Sequence, residues 1–308
     1  MASIDHTADR STNTTLARNV SLALTRRHSG AKRLPMGKGR RQMARRYPAL
    51  LVLLWSVGGL MPASAQQPAL NTAELIDEFV VANRILADQG IIADGFGHLS
   101  VRSPVDPGRF FMSRARAAGL VTPEDVMEFD LAGKPLDERG RPMFSERFIH
   151  AEIYKARPEV NAVVHSHAPA LLPFGLTGTP LRPVSHMAGF MIRAAPVFEI
   201  REAGGEATDM LVRTPELGAA LAKVLGKAPI VLMRGHGFNA VGTSIRQAVS
   251  RAIYAEINAR ILSEALKMGS VVYLNETEAV GIAKTNDASI GRSWEIWKLK
   301  ALANTPKY

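Results

Sequence analysis

Apolar residues recur at helical spacing and at strand spacing in alternating stretches from about residue 71 onwards. Residues 71–74 (Asn-Thr-Ala-Glu) have the pattern of a capping box, helically spaced apolar positions follow them, and Gly90 ends this first predicted helix. Short apolar runs bounded by Gly and Pro predict strands. The remaining predicted elements are helices 144–156, 215–225, 244–268 and 292–302, and strands 98–101, 110–112, 126–131, 161–167 and 230–233.

The order of these elements indicates the fold class. Several predicted strands are separated only by turn residues, as at Pro104, Pro107 and Gly108. Strands joined by so short a connection pair antiparallel, because a parallel crossover needs about a dozen residues or more. The pattern therefore predicts an α/β or α+β layered structure with antiparallel strand pairs, and not a doubly wound parallel sheet.

The first 65 residues have a different pattern. Residues 1–35 are polar and basic without periodicity, which predicts a disordered leader. A basic segment (39–46), an apolar run (49–61) and Ala-Ser-Ala (63–65) then follow in the order of a secretory signal peptide, with cleavage after Ala65. The apolar run is shorter than the roughly 20 residues that span a bilayer. We therefore expect a periplasmic or secreted protein.

Three alternatives to a cleaved signal peptide stay open: an uncleaved anchor, a buried helix, and a cytoplasmic protein with a misassigned N-terminus. A start at Met36 or Met43 would instead give a signal peptide of more usual length. If cleavage does occur, the mature chain is 66–308, which has the size of one domain and is predicted to be catalytic. No membrane span is predicted within it.

Charge and cysteine content exclude several classes of function. The chain has 308 residues and a formal charge of +10, but residues 1–46 hold 11 Lys/Arg against two acidic residues and so carry +9 of it. The remaining chain is nearly neutral and gives no reason to predict nucleic-acid binding. The absence of cysteine excludes disulfides, thiolate nucleophiles and Cys-ligated metal sites.

Histidines carry the strongest chemical signal. His165 and His167 alternate on a predicted strand, so both side chains point to one face. His236 stands between two glycines at the end of another strand. Three imidazoles with an open position are a common catalytic arrangement for zinc or another divalent ion, and Zn, Mn, Fe and Co all fit. Glu146 precedes the His-x-His strand and is either a fourth ligand or the acid/base beside the metal.

Four segments resemble the class II aldolase/adducin family in the same order along the chain: Gly97–Arg102, Phe144–Tyr154, Arg157–His167 and Leu232–Gly237. The resemblance spans about residues 72–269. It implies a three-layer αβα fold with a mainly antiparallel central sheet and a homotetramer with active sites between subunits. It also implies a divalent metal on His165, His167 and His236, with Glu146 acting on substrate or completing the metal shell.

Departures from the sugar-phosphate aldolases of this family indicate a different substrate. His98 replaces their asparagine, Ser113-Arg114-Ala115-Arg116 replaces a Thr/Ser-Gly pair, and Phe144-Ser145 replaces two serines. Small hydroxyl and amide donors cradle a phosphate, whereas arginine and phenyl groups suit a flat organic acid. These positions, together with segments 172–178, 181–190 and 208–213, resemble the branch that decarboxylates hydroxylated aromatic acids of the dihydroxyphthalate type.

The resemblance predicts a metal-dependent carbon–carbon lyase that decarboxylates a hydroxylated aromatic acid. Glu146 and His98 are the candidate proton donors, and Arg116 or Arg114 is expected to orient the carboxylate. The expected substrate-binding residues are Ser113, Arg114, Arg116, Phe144, Ser145 and His186. The alternatives are a metal-dependent aldolase, epimerase or dehydratase acting on a sugar or sugar phosphate, and a non-catalytic adducin-like module. Arg102 is expected to be structural and His150 to pack or support a ligand.

Overall fold

A seven-stranded sheet forms the middle layer of the part of the chain that the computed structural model describes, residues 71–93 and 95–304. The predicted leader and signal peptide, and the predicted boundary after residue 65, lie outside these residues. The strands are β1 (His98–Arg102), β2 (Arg109–Ser113), β3 (Val126–Asp130), β4 (Ala162–Ser166), β5 (Val197–Phe198), β6 (Ile230–Met233) and β7 (Gly237–Gly242).

Strand order in the sheet is β3-β2-β1-β4-β7-β6-β5. The β1–β2, β2–β3, β1–β4, β4–β7 and β6–β7 pairs are antiparallel, whereas β5 pairs parallel with β6. The sheet is therefore mixed, which corrects the expectation of a mainly antiparallel sheet, although most strands do pair antiparallel. The parallel pair has a physical cause: helices lie between β5 and β6, and such a crossover brings the chain back in the same direction.

Helices cover both faces of the sheet. They are α1 (Thr72–Asp88), α2 (Arg147–Ala156), α3 (Leu172–Leu176), α4 (Arg201–Gly204), α5 (Pro215–Leu225), α6 (Ile245–Met268), α7 (Glu276–Asp287) and α8 (Ile290–Asn304). One apolar core includes side chains of α1, α6 and α8, and a second includes those of α2 and α5. Val164 belongs to the first core and its neighbour Val163 to the second, as strand alternation requires. None of the described helices is both long enough and apolar enough to cross a membrane.

Most predicted elements are present, with three informative differences. α2 begins at Arg147 because Glu146 occupies the N-cap position. β7 was not predicted as a strand, because Gly235 and Gly237 on either side of His236 indicate a tight turn at its start. α7 was not predicted because Ala279 is its one buried residue, and so it lacks an apolar face.

Gly237 allows β7 to approach β4 closely. A Cβ at this position would collide with the carbonyl oxygen of Ser166. Glycine is therefore required by the close approach of two strands. This approach also sets the position of the turn that carries His236.

We predict that Gly237→Ala destabilises the protein by about 1–3 kcal/mol, because the added methyl group forces the two backbones apart. Gly281→Ala is the matched control: Gly281 lies inside α7 with open space at its Cβ position, and alanine there should stabilise by about 1 kcal/mol. Urea unfolding measures both variants. Equal stability of Gly237→Ala and wild type would refute the packing argument.

Candidate metal centre

Four predicted residues meet at one point of the structure. Glu146, His165, His167 and His236 each offer a ligand atom, and these atoms all lie within 4.8 Å of one another. The Nε2 atom of His167 is 3.1 Å from Nε2 of both His165 and His236. The Oε2 atom of Glu146 is 3.5 Å from the same two nitrogens.

Strand pairing brings these residues together. His165 lies on β4 opposite Asn239 of β7, and His167 follows just beyond the end of β4. His236 lies in the tight turn between β6 and β7. Gly235 opens this turn with a φ of +64°, a left-handed conformation that favours glycine. The antiparallel β4–β7 pair therefore places the turn beside the end of β4.

Hydrogen bonds at the far side of two rings fix their protons. Nδ1 of His236 donates to the carbonyl oxygen of Met210 at 2.9 Å, because a carbonyl can only accept. Nδ1 of His165 lies 3.1 Å from Oδ1 of Asn239, whose amide group donates to Met233 Sδ. A neutral imidazole protonated at Nδ1 has a lone pair at Nε2. Both rings therefore direct lone pairs at His167.

This arrangement fits a divalent cation. Burial, and then the neighbouring histidines, lowers the pKa of His165 and of His236, so both rings are neutral. Nε2 of His167 carries at most one proton and can donate it to only one of these two rings. At least one of the two 3.1 Å N···N contacts therefore has no hydrogen between its nitrogens. A cation removes this repulsion. Metal–nitrogen bonds of about 2.0–2.1 Å around a tetrahedral zinc separate the nitrogens by about 3.3 Å, close to the observed spacing.

Glu146 is held with one oxygen anchored. Its Oε1 accepts from the backbone N–H of Val212 at 2.9 Å, which leaves Oε2 toward the imidazoles. Burial raises the pKa of Glu146 to about 7, against the lowering effect of the Val212 hydrogen bond. The carboxyl group can therefore serve as a ligand when ionised or as a proton donor when protonated.

His98 lies beside this centre. It is opposite His165 in the β1–β4 pair, and its ring centroid is 4.8 Å from that of His165 and 4.6 Å from that of Phe144. Its Nδ1 is 2.7 Å from Nε2 of His150. The structure thus groups His98 and Phe144 with the metal centre. His150 supports His98 and is not itself a member of the metal cluster.

The two candidate arginines bind an internal partner. Arg114 Nε and Arg116 Nη1 donate to the carboxylate of buried Asp125, at 2.6 and 2.9 Å. Burial alone would raise the pKa of Asp125, but hydrogen bonds from Arg114, Thr122 and Arg116 outweigh it and lower the pKa. Ser113 is buried at the end of β2. Among the described residues no hydrogen bond or ion pair joins these arginines to the metal centre, and their substrate contact stays a prediction.

Ser145 and His186 are exposed, and the contacts of the described residues do not connect them to the metal centre. Ser145 directly precedes Glu146. His186 instead lines a separate cavity of about 450 Å³ bordered by α6 and α8. Their predicted role in substrate binding stays a prediction. Arg102 is structural as expected, since its guanidinium donates to backbone carbonyls of Val160 and Tyr154.

Sequence reasoning missed the groups that orient the ligands. Asn239 is fully buried on a strand between apolar neighbours, which is a readable signal for a polar partner. Met210 and Val212 contribute only a backbone carbonyl and a backbone N–H, so their side chains carry no signal.

Comparison with known proteins identifies the family. The sequence profile described as Class II Aldolase and Adducin N-terminal domain matches residues 77–263. The chain belongs to the class II aldolase and adducin family. The resemblance found in the sequence is therefore confirmed.

Relatives of this class II aldolase family chain include decarboxylases. Decarboxylase tropJ of Talaromyces stipitatus is 41% identical over 230 residues, covering 67% of this chain and 86% of that protein. A 3,4-dihydroxyphthalate decarboxylase of Arthrobacter keyseri is 31% identical over 213 residues, covering 66% and 83%. The structure of L-fuculose 1-phosphate aldolase from Glaciozyma antarctica PI12 has the same fold, with a TM-score of 0.64, 23% identity and coverage of 79% and 97%.

We predict that His236→Ala lowers the metal content of this class II aldolase family chain at least tenfold, because one of three convergent nitrogens is lost. His186→Ala, which changes an exposed histidine outside the cluster, should keep wild-type content. Elemental analysis of the purified proteins measures both. A full complement of metal in His236→Ala would contradict the ligand assignment.

The raised pKa of Glu146 predicts a pH effect in the metal-free protein. The folded state holds this proton more tightly than the unfolded chain, whose reference pKa is 4.5, so the stabilisation is complete below pH 4.5 and is lost as the pH rises through about 7. The unfolding free energy of wild type minus that of Glu146→Gln should therefore fall by about 3 kcal/mol as the pH rises over this range. Urea unfolding at several pH values measures it, and a pH-independent difference would refute the shift.

Proposed function

We propose that the chain is a metal-dependent carbon–carbon lyase that decarboxylates a hydroxylated aromatic carboxylic acid. The observation that carries the proposal is the pairing of a buried Glu/His₃ centre with His98 and Phe144 beside it. Relatives named as decarboxylases, including one at 41% identity, support the same reaction class.

The reaction makes two demands on the site. Loss of CO₂ leaves the electron pair of the broken C–C bond on a ring carbon, and a proton must then form a C–H bond there. A bound divalent ion supplies Lewis-acid stabilisation of the developing negative charge. The protein must hold the carboxylate and the ring, exclude water, and deliver the proton.

Glu146 is the residue suited to deliver the proton. In the metal-free site burial raises the pKa of Glu146 to about 7, and Oε2, its unanchored oxygen, lies toward the imidazoles where the substrate would meet the ion. Transfer of the Oε2 proton to the ring carbon leaves a carboxylate, which regains a proton from solvent after product release. Protons are thus balanced over one turnover.

Phe144 and His98 replace phosphate-binding groups with an aromatic wall. The phenyl ring of Phe144 can pack on the substrate ring, an interaction worth about 0.5–1.5 kcal/mol beyond the area buried. Arg114 and Arg116 each use only part of the guanidinium on Asp125, so N–H groups remain for a substrate carboxylate.

We also propose a homotetramer with active sites between subunits, and export by a cleaved signal peptide. Exposed apolar residues on α6 and α8, including Ile261, Met268, Ile296 and Leu299, support association. The order of basic, apolar and small residues before Ala65 supports export.

The metal-loaded protein should release CO₂ from at least one dihydroxybenzoate or dihydroxyphthalate and leave ketose phosphates unchanged. Removal of the metal by a chelator should abolish turnover, and added metal should restore it. Glu146→Gln should lower kcat about 10²–10⁴-fold, the range expected for loss of general acid catalysis.

Turnover of a ketose phosphate without CO₂ release from any aromatic acid would support the aldolase, epimerase or dehydratase alternative and overturn the proposal. No turnover of either substrate class by metal-loaded protein would favour a non-catalytic adducin-like module.

A further inference from the structure

A buried chain of hydrogen bonds leads away from the metal centre through four side chains. Nδ1 of His98 is 2.7 Å from Nε2 of His150, and Nδ1 of His150 is 2.6 Å from the hydroxyl of Ser100. The same hydroxyl is 2.7 Å from the phenol oxygen of Tyr154. All four residues are at most 2% exposed. Solvent therefore does not compete for these bonds.

Two sequence periodicities place the four side chains of this hydrogen-bond chain next to one another. His98 and Ser100 alternate on β1 and so lie on one face of the sheet. His150 and Tyr154 are four residues apart on α2 and so lie on one face of the helix. Arg102 is the next alternate residue of β1, and its guanidinium carbon lies 4.7 Å from the centroid of the Tyr154 ring. It therefore covers the end of the hydrogen-bond chain that is farthest from the metal centre.

The far end determines the direction of the protons. Among the described residues the Tyr154 hydroxyl has one hydrogen-bond partner, Ser100, so it must donate to it. The Ser100 hydroxyl then donates to Nδ1 of His150, and Nε2–H of His150 donates to His98. The opposite direction leaves a buried phenol proton without an acceptor, which is unfavourable because the phenol has lost its hydrogen bonds to water. Burial lowers the pKa of His150 to about 3, in agreement with the neutral ring that this chain needs.

We propose that this chain locks His98 in the neutral tautomer protonated at Nε2, so that Nε2–H donates a hydrogen bond to the substrate. The His98 ring contacts those of His165 and Phe144, which places the donor beside the metal centre. This role rests on the proposed function. His150 and Ser100 are then positioning residues that act through His98.

The same geometry separates His98 from the source of the proton. A proton given up by His98 would have to be replaced along the chain, which ends at Tyr154. Replacement would leave a buried tyrosinate, and burial already raises the pKa of Tyr154. The chain therefore orients a donor without supplying protons, and Glu146 remains the group that delivers the proton to carbon.

The direct test is the tautomer of His98, measured by ¹⁵N NMR on the full chain loaded with Zn²⁺ and labelled with ¹⁵N-histidine. His98→Gln assigns the His98 signal by its disappearance. We expect a protonated Nε2 and an unprotonated Nδ1 for His98. A proton on Nδ1 would overturn the proposal. This measurement needs no turnover, so it stands apart from success or failure of the decarboxylation assay.

A matched pair of substitutions tests the consequence for catalysis. In His150→Gln the side-chain amide can donate to His98 and accept from Ser100, so the direction of the chain is kept. In His150→Leu neither bond can form. We expect the Gln variant to keep kcat within about tenfold of wild type and the Leu variant to lose about 10²–10³-fold, with a smaller change in KM.

Thermal unfolding and metal analysis must show that both variants are folded and loaded. Equal kcat of folded, loaded Leu and Gln variants would contradict the positioning role. If the Leu variant fails to fold, the NMR tautomer decides the question alone.

Discussion

Nε2 of His165 and Nε2 of His236 each lie 3.1 Å from Nε2 of His167, and hydrogen bonds cannot account for both contacts. His165 and His236 have their protons committed on the far side of the ring, to Asn239 and to the carbonyl of Met210. Their inner lone pairs repel unless a cation lies among them. Much of the surrounding structure can be understood as the means of holding this otherwise unfavourable cluster in place.

The supports come from different parts of the chain. Pairing of β4 with β7 fixes two ligands and Asn239, and Gly237 allows these strands their close approach. Glu146 sits at the N-cap of α2 and is anchored by the backbone of a loop distant in sequence. On the other side β1 and α2 hold His98 by a buried hydrogen-bond chain. The centre therefore depends on the sheet and on α2 together, and metal binding should stabilise their packing.

The sequence predicted the ligands because their chemistry coincides with a local pattern. Alternation on a strand placed His165 and His167 on one face, and flanking glycines marked His236. Long-range features were harder to predict: β5 runs parallel to β6 only because of the crossover that connects them. The type of side chain does not reveal a backbone hydrogen-bond partner such as the N–H of Val212. The engagement of Arg114 and Arg116 by Asp125 also depends on a contact between a strand end and a later turn, which spacing alone does not reveal.

The central claim is that one divalent ion is bound by Nε2 of His165, His167 and His236. The most direct measurement is a crystal structure of the purified, metal-loaded protein with anomalous diffraction collected at the absorption edge of the metal. We predict one strong anomalous peak within bonding distance of all three nitrogens, about 2.0–2.1 Å for zinc. A peak elsewhere in the chain, or three imidazoles without an ion in protein that contains metal by elemental analysis, would contradict the account.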